Sequence, residues 1–387
     1  MKTVCKENLC SGCMACKDVC LKDAIYIDTN IEFYNAIIDE SKCINCDACI
    51  RVCQQNVRKE LTAPIQWYQG WSKDYKTRRK SSSGGIAFTI EKNFVKNGGC
   101  VYSCIYKNGR FIFQSTEDEG EIINFAGSKY VKSNAEGVYL SIEKDLKVGK
   151  KVLFVGLPCQ VSALKNVIAE KFQKYLYTID LICHGTPSPE LLNIYLKQYN
   201  LSLDLIQDLS FRVKNRFQLY NEYIPVEGTA GICDHYSTAF LNSICYTYNC
   251  YYCNYATTSR IGDITLGDSW GSKLNVEQRK KGISLVLCQN EKGAFLLNDK
   301  TIYLESVDIE TAIMNNHQLR EPADIPAKRN YFFRKIKEGK SFNSTILFCF
   351  PWICFKQFVK KILLKSKILR GGAIDYNLHV LKCNIDK

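Results

Sequence analysis

Two stretches decide the reading. They are Cys10-Ser-Gly-Cys13-Met-Ala-Cys16-Lys-Asp-Val-Cys20 and Cys43-Ile-Asn-Cys46-Asp-Ala-Cys49-Ile-Arg-Val-Cys53. Each has the form Cys-x2-Cys-x2-Cys-x3-Cys. All four positions recur at an offset of 33 residues, as do Ala15 with Ala48 and Val19 with Val52. An internal duplication of this kind predicts two like halves related by a pseudo-twofold axis.

The spacing has a chemical reason. Two intervening residues let a tight loop present successive thiolates to three corners of one iron–sulfur cube. The fourth cysteine lies past the loop, points the other way and ligates the other cluster. The quartets therefore predict two [4Fe–4S] clusters. One rests on Cys10, Cys13, Cys16 and Cys53, the other on Cys43, Cys46, Cys49 and Cys20. Small residues such as Gly12 and Ala15 let the backbone come close to the sulfides. Zinc is the alternative, but it favours two separated Cys-x2-Cys pairs per ion, and three cysteines in one run suit it poorly. Between the quartets, Ile25-Tyr-Ile-Asp28 and Ala36-Ile-Ile-Asp39 flank Thr29-Asn30 and read as a β-hairpin. Residues 1–60 resemble the bacterial two-cluster ferredoxin module. They depart from it at Leu21 and Gln54, where ferredoxins usually carry proline.

The rest of the chain is too long to be an appendage. The protein has 387 residues, 46% of them apolar and 24% charged, enough for a globular body of one or two further domains. Its 21 cysteines are an odd number, which suits a disulfide framework badly. The opening Met-Lys-Thr-Val-Cys lacks the apolar run of a secretory signal, so a reducing, cytoplasmic setting is expected. The net charge of +13 lies wholly outside the first 60 residues, which hold 8 Lys and Arg against 9 Asp and Glu. A basic body suits anionic partners: an acidic redox protein, a phosphorylated cofactor or an anionic membrane surface. No nucleic-acid-binding motif is present, so nucleic acid is not an expected partner.

Residues 61–80 read as a linker, with aromatic residues at Trp67, Tyr68 and Trp71 and a basic run at 76–80. Ser81-Ser-Ser-Gly-Gly85 then opens a helix that Asn97-Gly98-Gly99 ends. A Ser/Gly loop at a helix start can hold phosphate through free N–H groups, although such loops are also common plain turns. Strands over Cys100–Tyr106 and Phe111–Gln114 are joined by Asn108-Gly109, a hairpin signal. Lys151–Val155 and Tyr177–Ile182 are buried strands. Each is followed by a helix, the first over 160–171 and the second starting near Ser188-Pro189. That βαβα order predicts a parallel sheet. Cys159 and Cys183 fall at the strands' carboxyl ends, where such sheets place ligands. With Cys250-x2-Cys253 they form a candidate third cluster site, against the plain alternative of buried thiols.

Seven motifs occur in order: Ser82-Ser-Gly-Gly85, Gly127-Ser-Lys-Tyr130, Gly156-Leu-Pro-Cys-Gln160, Cys183-His-Gly185, Phe211-Arg-Val-Lys214, Cys250-x2-Cys253 and Asp263-Ile-Thr-Leu-Gly-Asp268. Together they resemble the beta-subunit family of coenzyme F420 hydrogenases and dehydrogenases, over about residues 1–275. The resemblance implies a flavin, FAD, beside the clusters. It makes Ser83, Gly84, Gly85 and Lys129 flavin-contact candidates, Cys159, Cys183, Cys250 and Cys253 cluster ligands, and His184 a candidate proton donor. The absence of a GxGxxG motif argues against a dinucleotide fold for NAD.

Past residue 275 the motifs fade. Phe355, Phe358, Val359, Ile362 and Leu363, interspersed with Lys356, Lys360, Lys361 and Lys365, read as a basic amphipathic helix. Docking on the chain's own body or on a partner is the favoured reading of that helix, and peripheral contact with an anionic membrane is the other. The expected fold is α+β: a two-cluster ferredoxin-like module over 1–60 and the linker, then an α/β body with a mixed, partly parallel sheet. The body comprises a first flavin-binding part over 81–150 and a second over 151–330, with a basic tail over 331–387. The expected function is that of an iron–sulfur flavoprotein oxidoreductase. Electrons would pass among clusters, FAD and a small organic acceptor or donor, such as a coenzyme F420-like molecule or a polysaccharide-pathway intermediate. A redox partner protein or reduced ferredoxin would exchange electrons with it. The alternative is a non-catalytic electron-transfer subunit of a larger redox complex.

Overall fold

The computed structural model describes residues 2–369. In the N-terminal module, strands β1 (Ile25–Thr29) and β2 (Tyr34–Ile38) pair antiparallel with Ile25 opposite Ile38, the predicted hairpin. The duplication is visible in the backbone. Gly12 and Asn45 adopt φ of 69° and 53°, and Met14 and Asp47 adopt 70° and 57°, at the same 33-residue offset as the cysteines. Each of these loops turns left-handed twice and then enters a short helix, Ala15–Asp18 or Ala48–Val52.

The body is built on eight strands. In chain order the next five are β3 (Gln66–Ser72), β4 (Cys100–Lys107), β5 (Arg110–Thr116), β6 (Val152–Gly156) and β7 (Leu176–Leu181). A separate antiparallel sheet follows, of β8 (Leu209–Val213), β9 (Arg216–Asn221) and β10 (Ile224–Pro225). Then come β11 (Ile264–Asp268), β12 (Ser284–Cys288) and β13 (Ile302–Ser306). The large sheet runs β13-β3-β12-β11-β7-β6-β4-β5. Its centre, β4-β6-β7-β11, is parallel, and both flanks are antiparallel. This is the mixed, partly parallel sheet expected from the βαβα order. Asn108 and Gly109, with φ of 48° and 75°, make the tight β4–β5 turn.

Alternation along the central strands divides two cores. Val152 and Phe154 face one, with Tyr102, Val161 and Leu164; Leu153 and Val155 face the other, with Ile86, Ile90 and Ile264. Each such side chain removed from water contributes roughly 1.5–3 kcal/mol. Cys13, Ala15 and Val52 of the N-terminal module join the first core, so the module packs on the sheet. A third core gathers Tyr195, Tyr236, Phe211, Phe332 and Phe342 around the small sheet.

Three expectations need correction. The segment over 61–80 packs, as its aromatic residues indicate, but as part of the body and not as a linker: β3 lies inside the sheet between β12 and β13, and Tyr75–Lys80 is helical. Its aromatic residues pack there, with Trp71 stacked on Tyr303 at 4.4 Å. The tail over 331–387 is partly body, because Phe332, Phe333, Phe342 and Ile346 are fully buried and only the last helix, Pro351–Lys365, has no buried residue. Residues 370–387 of that tail lie outside the described ones. The helix expected over 160–171 spans Pro158–Val167 and is followed by a separate turn of helix, Glu170–Gln173.

Candidate cluster and cofactor sites

Each quartet's loop aims backbone donors at sulfur. The Gly12 N–H donates to Cys10 Sγ at 3.4 Å, and the Asn45 N–H donates to Cys43 Sγ at 3.4 Å, again one duplication apart. The Ala24 N–H donates to Cys20 Sγ at 3.3 Å. Such donors stabilise thiolate and suit an iron–sulfur cube, whose sulfurs they would also reach. Burial pushes the Cys13 thiol up to about 12, with Cys10 and Cys53 adding to the rise. Cys16 is raised by burial and by Cys13, Cys10 and Cys53. Cys49 is raised by burial and has Cys20 and Cys43 as neighbours. Cys53 thus stands with Cys10, Cys13 and Cys16, and Cys20 stands with Cys49. Among the described residues no three His, Cys, Asp or Glu gather as a single metal ion would need.

The two quartets differ in setting. Cys10, Cys13, Cys16 and Cys53 are buried, whereas Cys46 is exposed and Cys20, Cys43 and Cys49 are half-buried. Sequence reasoning missed Cys5. It is buried in one core with Cys10 and Cys53, whose nearness raises its thiol. No spacing signal marks it, since Ile38 stands at the equivalent place 33 residues on.

The later cysteines converge. Cys159, Cys183, Cys250 and Cys253 line one cavity with about 730 Å³ of empty space, part of it open to solvent. Cys159 follows β6 at the start of helix Pro158–Val167, and Cys183 follows β7, so both sit at carboxyl ends of adjacent parallel strands. Thr186 donates its N–H to Cys250 Sγ at 3.4 Å. The chemistry of the set, four thiols with backbone donors in one recess, fits a cluster. The cavity wall also includes Ser11 and Gln54 of the N-terminal module, and Cys13 is an electrostatic neighbour of Cys159. Lys132 stands between the two cysteine groups. Its Nζ donates to Ser11 O at 2.8 Å, and its charge favours the thiolates of both Cys10 and Cys159.

His184 lines the same cavity. Burial lowers its pKa to about 4, with Asp268 opposing and Arg212 and His317 assisting, so the ring is neutral near pH 7.

A second pocket, about 410 Å³, opens nearby and is lined by Ser82, Arg212, Lys214, Trp270, Arg279 and Lys280 among others. Its volume is ordinary for a small-molecule site. Arg212 holds it together. It pairs bidentately with Asp268 at 2.7 and 3.0 Å and donates to Tyr130 Oη at 3.0 Å and Ser82 O at 3.1 Å. Lys214 Nζ donates to the carbonyls of Arg78, Ser81 and Ser83, which fixes the Ser/Gly loop. Burial lowers Lys214 to about 7, helped by Arg78 and Arg212. Arg279 and Lys280 have no carboxylate partner among the described residues. Arg212 and Lys214 are committed to Asp268 and to backbone carbonyls, which leaves Arg279 and Lys280, beside Trp270, to meet an anionic ligand with a planar ring.

Of the residues expected at flavin, none lines this pocket; their neighbour Ser82 does. Ser83 Oγ donates to Ile283 O at 2.8 Å, and the Gly84 N–H donates to Ser284 Oγ at 3.0 Å. Gly85, with φ of 86°, caps helix Ile86–Lys96. Lys129 is buried and donates to Phe125 O and Ala126 O, although the Ser128 N–H beside it reaches Ser82 Oγ at 2.9 Å. These residues form the wall behind Ser82.

The seven motifs therefore sort into two adjoining sites, one of cysteines and one of basic residues. Residues 149–312 match the family model for the C terminus of the coenzyme F420 hydrogenase/dehydrogenase beta subunit, and residues 9–57 match that of the 4Fe-4S dicluster domain. Over residues 149–312 the chain is similar to the C-terminal part of that beta subunit. Both sites are built largely within this family's domain, and the dicluster domain carries the two quartets. The chain is an iron–sulfur electron-transfer protein related to that beta subunit. A solved structure, the F420-reducing [NiFe] hydrogenase complex from Methanosarcina barkeri, matches 73% of this chain and 96% of its own, at 16% identity and a TM-score of 0.49. No curated protein matches the chain. No described helix is long and apolar enough to cross a membrane.

Proposed function

We propose that the chain is an iron–sulfur flavoprotein oxidoreductase. It would exchange electrons between a protein partner at the exposed quartet and a small organic acceptor or donor at the basic pocket. The observation that carries this reading is the cysteine cavity, whose wall is shared by the buried quartet's loop and by His184, itself an electrostatic neighbour of Arg212 and Asp268. Eight N-terminal cysteines would hold two [4Fe–4S] clusters, and Cys159, Cys183, Cys250 and Cys253 a third. Arg279 and Lys280 would hold the phosphates of FAD, Arg212 and Lys214 would fix the pocket wall through Asp268 and the Ser/Gly loop, and Ser83, Gly84, Gly85 and Lys129 would support Ser82 from behind. When bound, the clusters supply single electrons and the flavin converts them to pairs.

The chain's own residues do the remaining work. Lys132 keeps positive charge between the two cysteine groups. Arg260 fixes the Cys250–Cys253 loop by donating to Tyr255 O at 2.5 Å while pairing with buried Asp180 at 2.9 Å. His184, neutral and buried, can hold a proton beside the pocket. An organic partner of the F420 type, anionic and planar, suits the basic pocket; so does a phosphorylated sugar intermediate.

Anaerobic purification with iron, sulfide and flavin analysis tests the reading. About twelve irons and one releasable FAD per chain are expected, falling by about four irons in Cys250→Ser/Cys253→Ser. Retention of clusters with no flavin would instead favour a non-catalytic electron-transfer subunit, which exposed Cys46 also suits.

A further inference from the structure

The last described helix, Pro351–Lys365, is turned the wrong way for a helix that serves only its own body. Its inner side carries Ile353, Cys354, Gln357 and Leu364, all half-buried, with Cys354 packed on the core around the small sheet. Gln357 Oε1 accepts the Cys233 N–H at 2.9 Å, and Leu364 approaches Gly231. Trp352, Phe355, Phe358, Val359 and Ile362 fall on the opposite side at helical spacing and are 37–64% exposed. Leu347 and Phe348 of the preceding helix, 51% and 55% exposed, extend the patch. An amphipathic helix that serves only its own domain turns this stripe inward.

The surrounding charge says what covers it. On a helical wheel, Lys356 and Lys360 border the apolar stripe on one side and Lys365 on the other. Lys356 Nζ lies 5.4 Å from the Trp352 ring centre, and Trp352 stacks on Phe355 at 5.7 Å. From residue 339 through 374 the sequence has seven Lys and Arg and no Asp or Glu. A second copy of this face would bring lysines against lysines, and the cores of protein–protein interfaces are depleted in lysine. A bilayer with anionic headgroups satisfies both features at once, since acyl chains take the aromatic side chains and headgroups take the lysines.

We propose that helix Pro351–Lys365 lies in the headgroup plane of an anionic membrane, with Trp352, Phe355, Phe358 and Ile362 inserted and the body held at the surface. The inference is independent of the redox reading, because it uses no residue of either site.

The test is co-sedimentation of the full-length, anaerobically prepared protein with vesicles of phosphatidylcholine alone or mixed with phosphatidylglycerol. Binding to the anionic vesicles should exceed binding to the neutral ones by about tenfold or more and weaken with salt. The variant Phe355→Ser/Phe358→Ser/Ile362→Ser should lose about tenfold or more, with unchanged iron content as the check on folding. Lys356→Gln/Lys360→Gln/Lys365→Gln should lose only the anionic preference. A blue shift of tryptophan emission on binding should vanish in Trp352→Phe. Failure to bind anionic vesicles overturns the proposal. So does binding that the triple serine variant leaves intact, or a concentration-dependent dimer that this variant abolishes in protein that binds no vesicle.

Discussion

Gly84 illustrates how one residue can be legible for the wrong reason. A glycine next to serine at a helix start reads as room for a phosphate. In the structure a Cβ there would stand 2.4 Å from Gly70 O and 2.8 Å from Ser284 N, so the missing side chain first serves the packing of the loop on β3 and β12. Gly84→Ala should cost about 1–3 kcal/mol in denaturant unfolding, and a neutral result would show that the loop can shift. Cys5 presents the converse case. It is silent in the sequence yet packs with Cys10 and Cys53 of the buried quartet. As a neighbouring thiol and not a ligand, its replacement in Cys5→Ala should leave iron content unchanged and move the midpoint potential of one cluster downward in a redox titration followed by electron paramagnetic resonance. Cys10→Ser should instead lose about four irons.

At the scale of elements, the carboxyl ends of β6 and β7 open on the cysteine cavity and that of β11 on the basic pocket, and a buried ion pair supports them. Arg260 and Asp180 are 1% and 0% exposed in their side chains, and Asp180 also accepts the Gly262 N–H at 2.8 Å. Arg260→Met strands the carboxylate. It should cost about 3–5 kcal/mol in denaturant unfolding, whereas the double variant Arg260→Met/Asp180→Leu should recover much of that. The helix His235–Leu241 meets the last helix through a titrating group. Burial alone would lower His235, but hydrogen bonds to Cys354 and Glu227 outweigh it and raise the pKa to about 9. A histidine raised above its ordinary 6.5 stabilises the fold fully below that pH and loses its contribution as pH climbs through 9. The contribution should be on the order of 2 kcal/mol, read as the difference between wild-type and His235→Gln stability profiles from about pH 6 to pH 10.

Across the whole molecule, the dicluster domain is seated on the body by buried polar contacts. Tyr139 Oη donates to Cys13 O at 2.8 Å, Gln54 Nε2 to Ser11 Oγ at 3.1 Å, and Tyr255 Oη to Gln54 Oε1 at 2.7 Å. Cys13, Ala15 and Val52 share the sheet's core. Loss of cluster absorbance and unfolding of the body should therefore coincide in one transition; two separated transitions would mean that the domains melt independently. Lys132→Met should lower the stability read from that single transition by about 1–3 kcal/mol, since Ser11 O loses its buried donor. It should also make the buried cluster harder to reduce, because a positive charge beside it is gone.

What is local could be read from the chain alone: the two quartets, each compact along the backbone, the hairpins, and the βαβα core whose burial repeats along each strand. The seven motifs were readable too, but as a string. Folding was needed to show that three of them face a cysteine cavity and three the basic pocket, while Tyr130 of the remaining one braces Arg212, and that 66–72 is a sheet strand. Folding likewise brought Cys5 to the quartet and left the last helix with its apolar side outward. Those facts depend on contacts between segments that meet only in space. Spacing along the backbone carries information about neighbours within a turn or a strand, whereas the facing of a surface depends on which distant segment arrives to cover it.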